Sequence, residues 1–408
     1  MSELFKFKDA DIHVLDELIK ENSLELGRGS VISKIDIRDT PGPYPIYSSS
    51  AQNNGKMGEY GKFMFDEELI TWSVDGGGKF FHRLQHKFSV TNVCGYLRLK
   101  SKRLDYKYLH SILEFQHDRL SFDYQIKAHP SVIRELYLIP LLKIEEQQKI
   151  AEILTSVDEV IENTQSQIDK LEVLKKATMN ELLTKGIGHT EFKETEIGRI
   201  PKSWGVTTLG EIVQSVIGGV SVNSEDREIH GNEVGILKTS AVHGGNFMPN
   251  EHKVVLQGEL SRVSTPVKTN TIIFSRMNTP ELVGESAYIE KSFPNLFIPD
   301  RLWEITVKNE QEISTHWLGF VLASWKIKDA IKTRSTGTSN SMKNISKPSL
   351  LSICIPKPSL HEQLQMTRKL VAITKLISTL RAKNSAYKNN KKAMMQDLLT
   401  GKVRVKVN

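Results

Sequence analysis

EEQQKIAEILTSVDEVIENTQSQIDKLEVLKKATMNELLT, residues 145–184, decides the architecture because it occurs twice. Displaced by 216 positions, it falls without a gap on HEQLQMTRKLVAITKLISTLRAKNSAYKNNKKAMMQDLLT, residues 361–400. With the flanking Ile139-Pro140 and Ile355-Pro356, thirteen pairs are identical in register. Glu146-Gln147 meets Glu362-Gln363, and Lys175-Lys176-Ala177 meets Lys391-Lys392-Ala393. Leu182-Leu183-Thr184 meets Leu398-Leu399-Thr400. The chain is a tandem duplication whose halves end in the same segment.

The segment has the pattern of a long helix. Ile150, Leu154, Val157, Ile161, Thr164, Ile168 and Leu171 are spaced alternately by four and three. Met366, Leu370, Ile373, Ile377, Leu380, Asn384 and Tyr387 repeat the pattern. This is a heptad seam without Pro or Gly. Prolines (Pro140; Pro356 and Pro358) precede each copy, and Gly186 and Gly401 follow, the residues expected before and after a helix. Forty residues at about 1.5 Å each make a rod of roughly 60 Å. Packing of each rod on its own domain is one reading. A seam this narrow suits another helix better.

Charge points to which helix. Residues 145–185 hold 5 Lys or Arg against 9 Asp or Glu, whereas 361–408 hold 11 against 2. An acidic and a basic helix favour pairing with each other over self-pairing. The sequence therefore predicts an intramolecular antiparallel coiled coil, with Leu154, Val157, Ile161, Ile168 and Leu171 facing Leu370, Ile373, Ile377, Leu380 and Asn384.

The rest of the chain is consistent with a globular protein of two or three domains: 408 residues, 39% hydrophobic, 25% charged, net charge +7. Cys94 and Cys354 are too few for a disulfide scaffold or a zinc cluster and read as reduced residues of a cytoplasmic protein. No signal peptide and no membrane span are expected. The expected fold class is α+β: two β-rich globular domains separated by two long helices, related by a pseudo-twofold internal repeat. The boundaries are 1–140, 141–185, 186–355 and 356–408.

The first domain reads as short strands and turns, with a short helix at 12–19, a strand at 69–74 returning at 79–81, and a helix at 106–120. The second restates it with insertions. Leu209-Gly210-Glu211-Ile212 echoes Leu15-Asp16-Glu17-Leu18, Thr271-Ile272-Ile273-Phe274-Ser275 stands for the strand at 69–74, and a helix at 315–332 stands for 106–120. The rods have kept their sequence while the domains have diverged.

Catalytic motifs are absent. There is no Asn-Pro-Pro-aromatic stretch, no dinucleotide glycine fingerprint, no Walker lysine followed by Ser or Thr, and no His-Glu-x-x-His or Gly-x-Ser-x-Gly. Asp75-Gly76-Gly77-Gly78-Lys79 reads either as a turn between strands or as a phosphate cradle. What remains is binding. Polar, glycine-bearing loops with Arg, Lys, Asn, Ser and Tyr can hold phosphates and read base edges, or can be solvated surface. The candidates are Tyr47, Ser49, Trp72, Lys79, Tyr124 and Lys127 in the first domain. In the second they are Lys238, Arg276, Arg301, Arg334, Thr336, Asn340 and Lys343. The loop at 334–344 is the strongest. Arg276 and Arg301 have structural ion pairs as their competing reading, and the strand aromatics have the core.

The order and spacing of these stretches resemble the specificity subunit of a type I restriction-modification system. The resemblance covers nearly the whole chain. Its marks are Ile139-Pro140 with Glu146-Gln147, Ile355-Pro356-Lys357-Pro358 with Glu362-Gln363, and the closing Leu-Leu-Thr of each rod. Ile197-Gly198-Arg199-Ile200-Pro201 with Trp204 also fits the entry to the family's second target-recognition domain. The first domain lacks a comparable Ile-Pro-x-x-Trp entry.

The resemblance implies that each domain reads one half of a bipartite target in double-stranded DNA, and that the helices fix the spacer. It implies two modification (adenine methyltransferase) subunits carrying S-adenosylmethionine, and restriction/translocase subunits using ATP and Mg. No cofactor or metal would be held by this chain, which would be non-catalytic. The competing expectation is a tandem-domain protein-binding scaffold dimerising through the coiled coil. An accessory nuclease or helicase is a third reading, disfavoured by the missing motifs.

Overall fold

The computed structural model describes residues 4–7, 10–50, 52–75, 79–120, 127–337 and 342–407. Its contacts divide the chain into two units, residues 1–166 with 381–408, and residues 167–380. Both long helices, Ile144–Lys185 and Leu360–Leu399, contribute to both units. Each unit thus holds one globular domain, the first part of the helix that follows it, and the last part of the other.

In the first unit, β1 (Asp11–Val14) pairs antiparallel with β8 (Leu138–Leu141) and runs into α1 (Leu15–Lys20). Residues 12–14 are therefore strand, not the start of a helix. Their partner is remote in sequence, so local periodicity could not reveal it. The remaining strands are β2 (Leu24–Arg28), β3 (Tyr44–Tyr47), β4 (Lys56–Tyr60), β5 (Phe65–Ser73), β6 (Phe80–Val90) and β7 (Cys94–Leu99). They form one sheet in the order β2-β7-β5-β6-β3-β4. The eleven-residue β6 pairs antiparallel with β5 and, at its far end, parallel with β3. Helix α3 (Tyr106–His117), capped by Asp105 accepting from Tyr108 N at 2.9 Å, brings Leu109, Ile112 and Leu113 into the core with Trp72, Phe80 and Leu97. The short α2 (Lys34–Asp39) and α4 (Pro130–Leu136) complete the domain.

The second unit repeats this plan. Strand β9 (Gly205–Thr208) pairs with β17 (Cys354–Lys357), and Thr208↔Cys354 restates Val14↔Leu138. Glu17 Oε2 accepts from Val14 N at 3.0 Å at the head of α1, as Glu211 Oε2 accepts from Thr208 N at 3.4 Å at the head of α6 (Leu209–Ile212). Strands β10 (Val213–Gly218), β13 (Thr271–Ser275), β14 (Ser286–Ile289) and β16 (Leu302–Val307) are ordered β10-β16-β13-β14, the counterpart of β2-β7-β5-β6. A second sheet has β11 (Gly235–Leu237) parallel to β15 (Phe293–Phe297) and antiparallel to β12 (His252–Val255). Those pairings repeat β3 with β6 and β4. Two strands, β14 and β15, replace the single long β6, which opens one sheet into two.

The helix expected over 315–332 is two, α7 (Thr315–Ala323) and α8 (Trp325–Arg334). Ser324 between them is extended, and its hydroxyl donates to Val321 O at 2.6 Å. A serine that satisfies its own turn interrupts a helix that apolar spacing alone would continue.

The long helices, α5 (Ile144–Lys185) and α9 (Leu360–Leu399), are antiparallel. In the first unit Ile150, Ala151 and Leu154 share a core with Met395, Leu398 and Leu399. In the second, Leu182 and Leu183 share one with Met366 and Leu370. Leu154, Ile168, Leu370, Ile377 and Asn384 are buried, and Val157, Ile161, Leu171, Ile373 and Leu380 are half-buried. Lys391 on the basic helix lies 2.8 Å from Asp158 on the acidic one. Gly186 and Gly401 adopt φ of +70° and +76°, a conformation that L side chains rarely take.

The identical Glu-Gln pair at the head of each helix makes the repeat mechanical. Gln147 Oε1 accepts from Asp105 N (2.9 Å), at the cap of α3, while its amide donates to Arg103 O (2.8 Å) and Leu142 O (2.9 Å). Gln363 does the same at the cap of α7, accepting from Ser314 N (2.9 Å) and donating to Glu312 O and Pro358 O (both 3.0 Å). Each glutamine is fully buried and ties its helix to the preceding domain.

The glutamates tie it to the chain leaving the other helix. Glu146 holds Arg404 in two bonds of 2.6 Å. Glu362 accepts from Ile187 N (3.0 Å) and Trp204 Nε1 (2.9 Å), with His189 Nε2 at 2.8 Å.

Replacing Gln147 by Leu would leave one buried amide and two carbonyls without partners. The expected loss is about 2–4 kcal/mol of unfolding free energy, read by urea denaturation. Faster hydrogen exchange is expected at Asp105 N, and Gln363→Leu should behave likewise at Ser314 N.

Candidate nucleic-acid interface

The second unit brings four of its sequence candidates together around the end of β13. Arg276, the next residue, donates from Nε to Asp300 O at 2.8 Å, and its backbone N donates to Arg301 O at 3.1 Å. Its Nη1 lies 3.5 Å from Asn344 Oδ1, and its guanidinium lies 5.7 Å from the Trp303 ring centroid. The two-residue strands Met277–Asn278 and Lys343–Asn344 pair antiparallel, placing Lys343 opposite Asn278. Thr336 and Asn344 exchange two backbone bonds of 2.9 Å, and Lys343 Nζ donates to Gly337 O at 3.1 Å. Arg301 is exposed, and its side chain makes no hydrogen bond or ion pair among the described residues.

Arg276, Arg301, Thr336 and Lys343 thus share one surface with Asn278 and Asn344. Three cations and two amides on and beside this two-strand ladder can hold phosphates and offer base edges both donors and acceptors. Asn340 lies outside the described residues.

Two candidates stand apart. Arg334 folds back on its own helix, donating to Ala330 O at 3.2 Å. Lys238 is ion-paired to Asp226 at 2.7 Å, and that carboxylate holds its ammonium above the ordinary lysine range.

In the first unit, Tyr47 and Ser49 lie at the end of β3 and in the loop leading to β4. The Tyr47 hydroxyl is 3.1 Å from His86 Nε2, and Ser49 O accepts from Ser73 Oγ at 2.8 Å. Lys79 is exposed, with its ammonium 5.5 Å from the Phe81 ring. Lys127 is paired with Asp75 at 2.8 Å. Residues 76–78, expected from the sequence as a turn or a phosphate cradle, and Tyr124 lie outside the described residues.

Trp72 is a core residue and not a surface group. It is fully buried, packs against Gly95, and donates from Nε1 to Ala128 O at 2.7 Å. Alternation along β5 fails to reveal this because Leu69 to Ser73 are buried on both faces of the sheet.

Sequence reasoning missed Arg83 in the middle of β6. It is 3% exposed and hydrogen-bonded to Thr71 Oγ1 (3.0 Å) and Asn54 O (2.8 Å). The signal available was slight: Arg83 shares a face of β6 with Phe81, but the strand is otherwise mixed in polarity and arginine is a residue type seldom buried.

Among the described residues, no group of three or more His, Cys, Asp or Glu is placed to hold a metal ion, and no helix is long and apolar enough to cross a membrane.

Residues 24–173 and 201–387 match the family model for the type I restriction modification DNA specificity domain. The chain is 29% identical over 378 residues to the type I restriction enzyme MjaVIII specificity subunit of Methanocaldococcus jannaschii, covering 90% of this chain and 87% of that one. It is 33% identical over 318 residues to a putative type I restriction enzyme MjaX specificity subunit of the same organism, covering 76% and 71%. Among solved structures, the S subunit of a type I restriction-modification system from M. genitalium superposes with a TM-score of 0.61 at 18% identity, over 99% of both chains.

Arg276 and Arg301 should separate in stability. Arg276→Ala removes a donor from two acceptors and should cost about 1–3 kcal/mol. Arg301→Ala should stay within about 0.5 kcal/mol of the parent. Thermal denaturation of the two variants checks both.

Proposed function

The chain belongs to the type I restriction modification DNA specificity family, as a specificity subunit with two recognition domains. From that premise we propose how its parts divide the work. The first domain reads one half of an asymmetric bipartite target in double-stranded DNA, and the second domain reads the other. The two helices set the unread spacer between the halves and offer docking faces to two modification subunits.

The observation that carries this reading is the repetition itself. One strand order recurs in both units, each gripped by the same glutamine, while the loops on it differ in chemistry. A duplicated scaffold with unlike loops suits two readers of unlike sequences. The set of Arg276, Arg301, Thr336 and Lys343 reads as the second domain's contact surface. Tyr47, Ser49, Lys79 and Lys127 read as part of the first. Phosphate contacts would position each domain, and base-edge contacts would specify.

The chain itself is proposed to be non-catalytic. S-adenosylmethionine and adenine methylation would come with the modification subunits, and ATP with Mg with the restriction/translocase subunits. Neither domain is strongly charged: residues 1–144 hold 20 Lys or Arg against 19 Asp or Glu. The isolated chain should accordingly hold random duplex weakly, with the partners supplying much of the phosphate contact.

Two outcomes are expected. Adding four residues within 155–172, with a matching addition within 371–388, lengthens each helix by about 6 Å. Sequencing of methylated sites should then show a longer spacer between unchanged half-sites. Altered half-sites with the old spacer would contradict the reading. Arg301→Ala in the assembled methyltransferase should weaken binding across sequences and lower the slope of log affinity on log salt by about one.

A further inference from the structure

Arg83 is the buried group that the surface chemistry leaves unexplained. It is 3% exposed, yet it has no carboxylate partner among the described residues. A buried cation without a counter-ion is costly, and burial here pushes the guanidinium down to about 10. Arginine is almost never buried to this extent without a paired charge.

What surrounds it accounts for an arginine. Its guanidinium lies 3.6 Å from the Tyr47 ring centroid and 4.6 Å from that of Phe81. Nε donates to Thr71 Oγ1, and Nη2 donates to Asn54 O at 2.8 Å. Asn54 belongs to a run, Asn53-Asn54-Gly55, whose φ angles are +47°, +53° and +76°. Three successive left-handed residues, two of them not glycine, are strained and need something to hold them. The Arg83 fork reaches the middle one.

The same loop is pinned elsewhere from the sheet: Ser48 N donates to Gly55 O (2.9 Å), Ser73 Oγ to Ser49 O (2.8 Å), and Thr91 Oγ1 to Ser48 Oγ (2.9 Å). Those bonds fix the loop's entry and exit. Among the described residues, only Arg83 donates a side-chain hydrogen bond to the Asn54 carbonyl, and its guanidinium also lies over the Tyr47 ring.

We propose that Arg83 is a specificity-positioning residue of the first recognition domain: from inside the sheet, it sets the conformation of the Tyr47 side chain and of the turn at 52–55, which read one half-site. The inference rests on the assignment of one half-site to each domain. Arginine is required because a planar fork can stack between two rings and hydrogen-bond in its plane at once, which lysine cannot do.

The test uses the full chain assembled with its modification subunit, carrying Arg83→Met or Arg83→Lys, with methylated sites sequenced and thermal midpoints measured. Arg83→Met keeps the stem and removes the buried charge but leaves Thr71 Oγ1 and Asn54 O without this donor, two effects that oppose each other, so its midpoint should stay close to the parent's. Both variants should tolerate additional bases in one half-site, with discrimination there falling about tenfold or more. The other half-site and the spacer should stay as in the parent.

Methylation of the parent target alone, with undiminished discrimination, would overturn the proposal. So would loss of both half-sites together with a lowered midpoint, which would make Arg83 a folding residue only. If the parent complex itself methylates an undivided target, the one-domain-per-half reading fails first, and the two failures are told apart by that control.

Discussion

The structure depends on two Glu-Gln pairs, whose glutamines are fully buried. Each glutamine closes the N-terminus of a domain helix and the turn before its own long helix, three bonds from one side chain that water cannot reach. Each glutamate, one residue earlier, reaches the chain that has just left the opposite helix. A carboxylate holding a guanidinium in two 2.6 Å bonds, or two N–H donors and a histidine, is among the stronger polar contacts a protein makes. In each unit this joins a domain, the start of one helix and the exit of the other. Seam packing adds apolar burial between the helices, but apolar heptads alone allow slippage. The polar latches define which residues meet.

That constraint explains why the two halves diverged unevenly. A residue whose side chain satisfies three backbone groups at once has few replacements, so Glu146-Gln147 and Glu362-Gln363 remain identical. Loops on the sheets carry no such obligation. The second domain could split one long strand into β14 and β15 and open a second sheet without disturbing the cap that Gln363 provides. Conserved mechanics with free surfaces is the combination a reader of variable sequences needs, since a new loop can be tried on an unchanged frame.

Much of this was legible in the sequence. The repeat, the helix limits at Gly186 and Gly401, the antiparallel partnership and most seam positions follow from spacing and charge, which are local properties. The echo of Leu15-Asp16-Glu17-Leu18 in Leu209-Gly210-Glu211-Ile212 also survives, as matching helix starts after matching strands. Most of what failed depended on distant partners, and one break depended on a local side-chain bond. Residues 12–14 are strand because of β8, Trp72 is core because both faces of its sheet are covered, and α7 stops because Ser324 bonds its own turn. The Glu-Gln identity was visible, but its task was not, since the groups it satisfies lie in other elements. Arg276, Arg301, Thr336 and Lys343, separate candidates in the sequence, come together around the end of β13, whereas Lys238 and Arg334 are engaged elsewhere. Arg83 was overlooked because a strand arginine looks like surface until its burial is known.

The central claim is that each globular domain reads one half of a divided target and does so independently of the other. Its most direct measurement is single-molecule sequencing of methylated DNA from cells expressing the modification subunit with a chimaera. In that chimaera, residues 10–141 are exchanged for the corresponding domain of a relative with a different target, and Glu146, Gln147 and both helices are left intact. The account predicts that one half-site changes to the donor's, while the other half-site and the spacer length persist. A chimaera that folds and methylates but alters both half-sites, or neither, would contradict it.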